Sequence, residues 1–336
     1  MMHLRMKGMV SAVCAAVLGF GLAGAAEAET WRMATKQPAD SPEGKVFQHF
    51  ADKVAEHSGG ELEIRIFPNE QLGKTDAVME QIQQGTVHLY AEGSTYLRKW
   101  VPEISWVSAA FIFDDRDHWV RFVNSDLVTG WFDKAANEAN VAILGEPTAM
   151  LRGPYRVMVA NKDVKSFDDI SGIKLRMHPD KLAHSLWTHL GADVKTLAWT
   201  DVYQAFDKDI VEAVNSPIAL VESMRFHEVA PHVIRHDEYF QSIAFMMNKE
   251  AFDGLSPELQ EALLKAHAEA GKFSEEIMTQ SADESIERMK AGGVTFVDID
   301  REPFVKSMEG FYEELKASGE LPEGYLEAVE ETRAQS

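Results

Sequence analysis

Phe167-Asp168-Asp169-Ile170-Ser171-Gly172-Ile173-Lys174-Leu175-Arg176 runs into a strand. Ile173, Leu175 and Met177 alternate there with Lys174, Arg176 and His178, the period of two that sends successive side chains to opposite faces. Arg176 stands at the strand's end. The helical spacing of Leu182, Leu186 and His189 or Leu190 follows over residues 180–190, closed by Gly191. A strand followed by a helix of about a dozen residues is the repeating unit of an α/β sheet, whose ligands gather beyond the carboxyl ends of the strands.

The same unit recurs on both sides. Residues 156–160 and 211–215 are predicted strands, the latter stopping before Pro217, and Thr200 caps a helix over 200–208. Nearer the N-terminus, residues 31–35 form a strand, and Ser41-Pro42-Glu43 starts a helix with Phe47, Phe50, Ala51 and Val54 on one face. Gly59-Gly60 stops it. Residues 61–66 alternate as a half-buried strand, residues 76–84 form a helix, and Val87, Leu89 and Ala91 then oppose His88, Tyr90 and Glu92. Glu92 therefore ends a strand. Two sets of alternating elements predict two α/β lobes with parallel sheets. From Ser256-Pro257-Glu258 onward a helical pattern runs to Gly292-Gly293; about 33 residues at about 1.5 Å each give roughly 50 Å, enough to lie across both lobes. The competing reading breaks this helix at Gly271.

The chain has 336 residues, a formal net charge of −21 and one cysteine, Cys14. The surplus of negative charge, with no dense Lys/Arg run, excludes nucleic acid as a partner. Arg5 and Lys7, an uncharged stretch over residues 8–25 and Ala26-Glu27-Ala28 form the pattern of a cleavable signal peptide over residues 1–28. An uncleaved membrane anchor is the alternative. Cleavage removes Cys14 and leaves an exported chain with no thiol chemistry. Gly19-Phe20-Gly21-Leu22-Ala23-Gly24 spells a dinucleotide-binding motif but lies inside this leader, with no strand before it.

The polar residues at predicted strand ends are Glu92, Arg176 and Asn215. An arginine fork matches a carboxylate with two parallel hydrogen bonds, and the glutamate and asparagine suit hydroxyl or amine groups. The bland alternative for Arg176 is an ion pair between lobes. Signatures of catalysis are missing: there is no G-x-S-x-G and no phosphate loop. The histidines of His227-Glu228-Val229-Ala230-Pro231-His232 are five apart and separated by proline, the wrong spacing for a zinc helix. No metal and no cofactor are expected, and no enzyme activity.

The ordered set of short stretches resembles the substrate-binding proteins of tripartite ATP-independent periplasmic (TRAP) transporters. It comprises residues 50–60 (FADKVAEHSGG), Gln71-Leu72-Gly73, Tyr90-Ala91-Glu92, residues 167–176, Leu190-Gly191-Ala192, residues 201–206 (DVYQAF) and Met247-Asn248. The resemblance implies a two-lobed periplasmic binding protein fold of the α/β class, with a long helix spanning both lobes. The lobes divide as 29–153 plus 242–282 and 154–241 plus 283–336. It also implies capture of a small organic acid by lobe closure and delivery to membrane permease subunits. Arg176 becomes the carboxylate clamp, Arg156 and Glu92 supporting polar contacts, Trp199 an aromatic wall, and Asn215-Ser216 a polar pair. Glu212-Ala213 departs from the Asp-Gly usual in the family. The protein is expected to be periplasmic and monomeric, with its acid undetermined among dicarboxylates, sugar acids, 2-oxo acids and aromatic acids. A ligand-sensing subunit of a membrane receptor is the alternative role, and a periplasmic enzyme using Glu92 or a histidine as base is a weaker rival.

Overall fold

The computed structural model describes residues 28–333, so the expected leader, with Cys14, lies outside the described residues apart from Ala28. The chain starts as β1 (Glu29–Ala34), α1 (Pro42–His57), β2 (Leu62–Phe67), α2 (Thr75–Gln83) and β3 (Leu89–Glu92). Ser41 caps α1 by accepting from the Gly44 N–H, and Phe47, Phe50, Ala51 and Val54 form its buried face. Helices α3 (Arg116–Val123) and α4 (Asp126–Ala139) lead to β4 (Val141–Ile143) and β5 (Met150–Leu151). The chain then crosses to a second sheet. There it forms β6 (Arg156–Ala160), β7 (Lys174–Met177), α5 (Lys181–His189), β8 (Asp193–Thr196), α6 (Val202–Asp207), β9 (Ala213–Pro217), α7 (Ile218–Val221) and β10 (His232–Arg235). It returns to the first sheet as β11 (Ser242–Asn248), continues through α8 (Lys249–Asp253) and α9 (Pro257–Ala291), and crosses a third time to β12 (Thr295–Asp298). Helices α10 (Glu302–Ser318) and α11 (Tyr325–Arg333) finish the fold.

The first sheet has the order β2-β1-β3-β11-β4 with β5 paired to β11, and the second β12-β10-β6-β9-β7-β8. Neither is wholly parallel, contrary to expectation. β11 runs antiparallel to β3, β4 and β5, and β6 antiparallel to β9 and β10. The reversed strands, β6 and β11, are the two that take the chain directly from the other sheet, whereas β12, reached through α9, pairs parallel with β10. Two smaller corrections concern boundaries. Thr200 sits inside a 3-10 turn ahead of α6 and makes no side-chain cap, and β9 begins at Ala213 because Glu212 bonds instead to Lys174.

Helix α9 is a single 35-residue helix capped by Ser256, so Gly271 does not break it. Gly271 instead permits a close approach: a Cβ there would stand 2.9 Å from the Ala149 carbonyl oxygen. Three residues on, Ser274 Oγ accepts the Leu151 N–H at 2.8 Å. The helix is thus tied to β5 where the chain leaves the first sheet. Beyond that point Arg288 pairs with Glu222 at 2.7 Å, just past α7 of the second sheet. Helix α11 packs on α3. His118 Nε2 meets the Val329 carbonyl at 2.9 Å, and Arg121 Nε donates to that of Thr332 at 2.7 Å.

His267 lies on the buried face of α9, its ring edge-on to Phe245 at 5.5 Å. Burial pushes its pKa down to about 4, opposed by Glu146. The unfolded chain therefore takes up a proton below about pH 6.5 that the folded chain refuses until about pH 4. His267→Phe removes that difference. Relative to the variant, the parent should lose about 1.4 kcal/mol per pH unit between those limits, measured by urea unfolding across the pH range.

Candidate functional site

A cleft with an empty volume of about 550 Å³ lies between the two sheets. β1 runs out into Lys36 and Gln37, and β3 ends at Glu92. From the other sheet, β7 contributes Arg176 and β9 contributes Asn215. The crossovers over residues 152–155 and 236–241 pass alongside. Of the expected residues, Arg176, Arg156, Glu92, Asn215 and Trp199 all line this space. Ser216 does not. On β9 it alternates with Asn215 and so faces away, fully buried, its hydroxyl donating to the Pro217 carbonyl at 2.9 Å.

Glu92 is not the free acceptor that was expected. Arg152 grips it with two parallel bonds of 2.7 Å each, the Gly93 N–H donates to it at 3.1 Å, and Lys36 stands 3.7 Å away. The same guanidinium donates from Nε to Glu43 at 2.9 Å. Burial works against both carboxylates. At Glu92 the Arg152 and Lys36 charges outweigh it and hold the pKa down to about 2, whereas burial carries Glu43 up to about 7 against the pull of Arg152. Glu92 is therefore an ionised anchor for the cations around it.

Arg156 is held by the second crossover. Its Nε donates to Glu238 at 3.3 Å, its Nη1 to Gln241 Oε1 at 3.0 Å, and its guanidinium lies 4.3 Å from the centre of the Tyr239 ring. Glu238 also accepts from Trp187 Nε1. Asn215 Oδ1 meets His236 Nε2 at 3.1 Å. Burial, helped by Arg156 and Arg301, pushes His236 down to about 3, so the neutral ring serves as donor.

Arg176 differs from both. Among the described residues its one hydrogen bond runs from Nε to the Leu197 carbonyl at 3.0 Å, and no carboxylate of theirs lies within ion-pairing distance. It is only 5% exposed, and burial lowers its pKa to about 10, which leaves it charged at neutral pH. Its guanidinium lies 5.3 Å from the centre of the Trp199 ring, which packs edge-on to Phe226. Three buried polar atoms in the lining lack partners, Trp199 Nε1, Gln37 Oε1 and Asn215 Nδ2. His178, beside Arg176, is pushed well down by burial and by Arg98, Arg176 and Lys36, and is neutral.

The sequence does not mark Arg152, Lys36, Gln37, Tyr96, Tyr239 or Gln241, all of which line the cleft. Arg152 alone carries a signal, as a charge following the apolar Met150-Leu151 and preceding Gly153-Pro154. Tyr239 and Gln241 sit in an irregular crossover where no periodicity exists to read. Arg152→Met strands two buried carboxylates, and urea unfolding should register a loss of about 3–5 kcal/mol.

Chemically, the cleft offers a single uncompensated cation, an aromatic face and unfilled hydrogen-bonding groups of both senses. Comparisons with known proteins agree in kind. The profile of the family described as bacterial extracellular solute-binding protein, family 7, matches residues 33–318. The chain is 25% identical over 291 residues to the 2,3-diketo-L-gulonate-binding periplasmic protein YiaO of Escherichia coli, covering 84% of this chain and 86% of that one. Among solved structures, a TRAP periplasmic solute-binding protein from Bradyrhizobium sp., in complex with α/β-D-galacturonate, superposes with a TM-score of 0.80. It is 25% identical, covering 91% of this chain and all of that one. One from Fusobacterium nucleatum with bound sn-glycerol 3-phosphate has a TM-score of 0.83 at 21% identity, covering 92% and 98%.

Proposed function

The chain belongs to bacterial extracellular solute-binding protein family 7, and on that premise we propose that its cleft takes a hydroxylated monocarboxylate of the sugar-acid type. The observation that carries this reading is the buried, unpaired guanidinium of Arg176. Lys36 and Arg152 face Glu43 and Glu92, Arg156 faces Glu238, and Arg176 faces no carboxylate. One ligand carboxylate completes the set through two parallel bonds to the Arg176 fork. A second would have to share a cation that is already paired, Arg156 with Glu238 or Lys36 and Arg152 with Glu92, which disfavours dicarboxylates. Gln37 Oε1 then accepts from a ligand hydroxyl, Trp199 Nε1–H donates to one, and the Trp199 face covers the apolar side of the carbon skeleton.

Capture follows from the division of these groups between the sheets. Gln37, Glu92 and Tyr96 approach from the first sheet, Arg176, Asn215 and Trp199 from the second. Contacts to both exist only when the lobes are closed, so ligand shifts the population toward closure. The lobe boundaries in this reading fall at 153/154 and 241/242, where the chain crosses between sheets, and the tail beyond residue 318 travels with α3. The protein acts in the periplasm as a monomer and presents its closed form to the membrane components of a TRAP transporter. No catalytic step is assigned, and ligand recovered after prolonged incubation should be chemically unchanged.

Titration calorimetry against D-galacturonate, L-galactonate, succinate and malate tests the assignment. The sugar acids should bind and the dicarboxylates bind far more weakly. Arg176→Lys keeps the charge but loses the fork, and affinity should drop by about 100-fold or more. Arg176→Met should abolish binding and raise the melting temperature of the ligand-free protein, because it removes a buried charge with no counter-ion. Unchanged affinity in Arg176→Lys sinks the clamp.

A further inference from the structure

Two groups of polar contacts join the halves of the molecule at the rim of the cleft without lining the ligand space. At one, Asn69 and Glu70 both hold left-handed backbone, with φ of 53° and 57°, a conformation that costs free energy in residues other than glycine. The turn aims the Glu70 carboxylate across the cleft, where the Thr200 hydroxyl donates to it at 2.5 Å. Lys74 donates to that same hydroxyl at 2.7 Å and pairs with Glu70 at 2.9 Å and Asp201 at 3.3 Å. Glu70 and Lys74 join β2 to α2 in the first half; Thr200 and Asp201 belong to the turn that presents Trp199 in the second.

At the other, Arg98 follows β3 of the first sheet. Its Nε pairs with Asp180 at 2.9 Å and its Nη2 donates to the Pro179 carbonyl at 2.6 Å, while Ser105 Oγ donates to Asp180 at 3.2 Å. Pro179 and Asp180 lie just beyond Arg176 on the same chain segment. A vestibule with an empty volume of about 620 Å³ shares Arg176, His178 and Trp199 with the ligand space and reaches Glu70, Lys74 and Pro179 at the rim.

We infer that these are two clasps that hold the closed cleft shut and set how fast the ligand leaves. Each joins surfaces that separate on opening, where water would solvate both partners. The pairs therefore lower the free energy of the closed state alone, and do so without touching ligand. Arg98, Lys74 and Thr200 are positioning residues: they fix the segments that carry Arg176 and Trp199. The Arg98–Asp180 pair, with side chains 15% and 3% exposed, is the stronger; Lys74–Asp201, at 54% and 59%, is heavily screened.

The inference rests on the closure reading above, so its test reports closure separately from affinity. The described residues contain no cysteine, and Gln84→Cys and Gln204→Cys, both exposed, can carry spin labels on opposite sides of the cleft. Distance distributions are recorded with and without D-galacturonate, and its association and dissociation rates by stopped flow. Lys74→Met and Thr200→Val should each speed dissociation about threefold and Arg98→Met about tenfold, with association unchanged within about twofold. Raising NaCl to about 0.5 M should speed dissociation from the parent but not from the Lys74→Met, Arg98→Met double variant. Thr200→Val leaves every charge in place and guards against a folding defect in Arg98→Met. Should D-galacturonate fail to close the parent, the sugar-acid reading falls, while a lower closed fraction in the ligand-free variants still upholds the clasps. Equal closed fractions and equal dissociation rates in the parent and all variants overturn them.

Discussion

Taking a guanidinium out of water with no carboxylate beside it costs several kcal/mol, and at Arg176 the surrounding fold bears that cost. β7 is paired on both sides, with Arg176 in register with Lys195 of β8 and Val214 of β9, so the strand cannot shift to bring its charge into solvent without breaking two ladders. The Nε–H is consumed by the Leu197 carbonyl, which fixes the plane of the fork. The nearby cations are each given a carboxylate, which keeps the summed repulsion on Arg176 low enough for it to stay charged. In the proposed function a ligand carboxylate supplies the counter-charge that Arg176 does not find in the fold, and binding relieves the instability of the free site.

The two crossovers explain why the compensating charges lie where they do. Arg152 and Arg156 bracket the first passage between sheets, and Glu238, Tyr239 and Gln241 occupy the second. Arg152 is bound entirely to first-sheet elements, through Glu43 at the start of α1 and Glu92 at the end of β3. Arg156, four residues on, is bound to the returning crossover, ahead of β11. A buried ion pair fixes geometry more surely than it adds stability. Here the pairs hold the two passages in a set relation to the cleft wall, leaving the lobes to turn about them.

The alternation in Ile173-Lys174-Leu175-Arg176 and the capped start at Ser41-Pro42 were legible because period and capping are local properties of the backbone. So was the long helix, including its passage through Gly271. The antiparallel sense of β6 and β11 was not, since direction depends on where the chain re-enters a sheet and leaves no mark on local pattern. The site divides in the same way. Arg176 and Glu92 stand at strand ends and announce themselves, whereas Asn215 sits in the middle of β9, which runs on to Pro217. That Glu92 is spoken for by Arg152 is a contact across 60 residues of chain, invisible to any window of sequence. Ser216 shows the opposite limit: it is next to Asn215 in sequence but not in space, because one step along a strand reverses the face.

A net charge of −21 opposes an anionic ligand at long range. At physiological ionic strength, however, surface charges more than about 8 Å away are largely screened, while a charge met at contact inside a low-dielectric cleft is not. The acidic exterior therefore slows approach modestly and leaves the closed-state energy to Arg176 and its neighbours. It also follows that attraction at a distance contributes little to selectivity. In the proposed function an acid is discriminated only after it has entered, by whether it supplies the one negative charge that Arg176 lacks and no second.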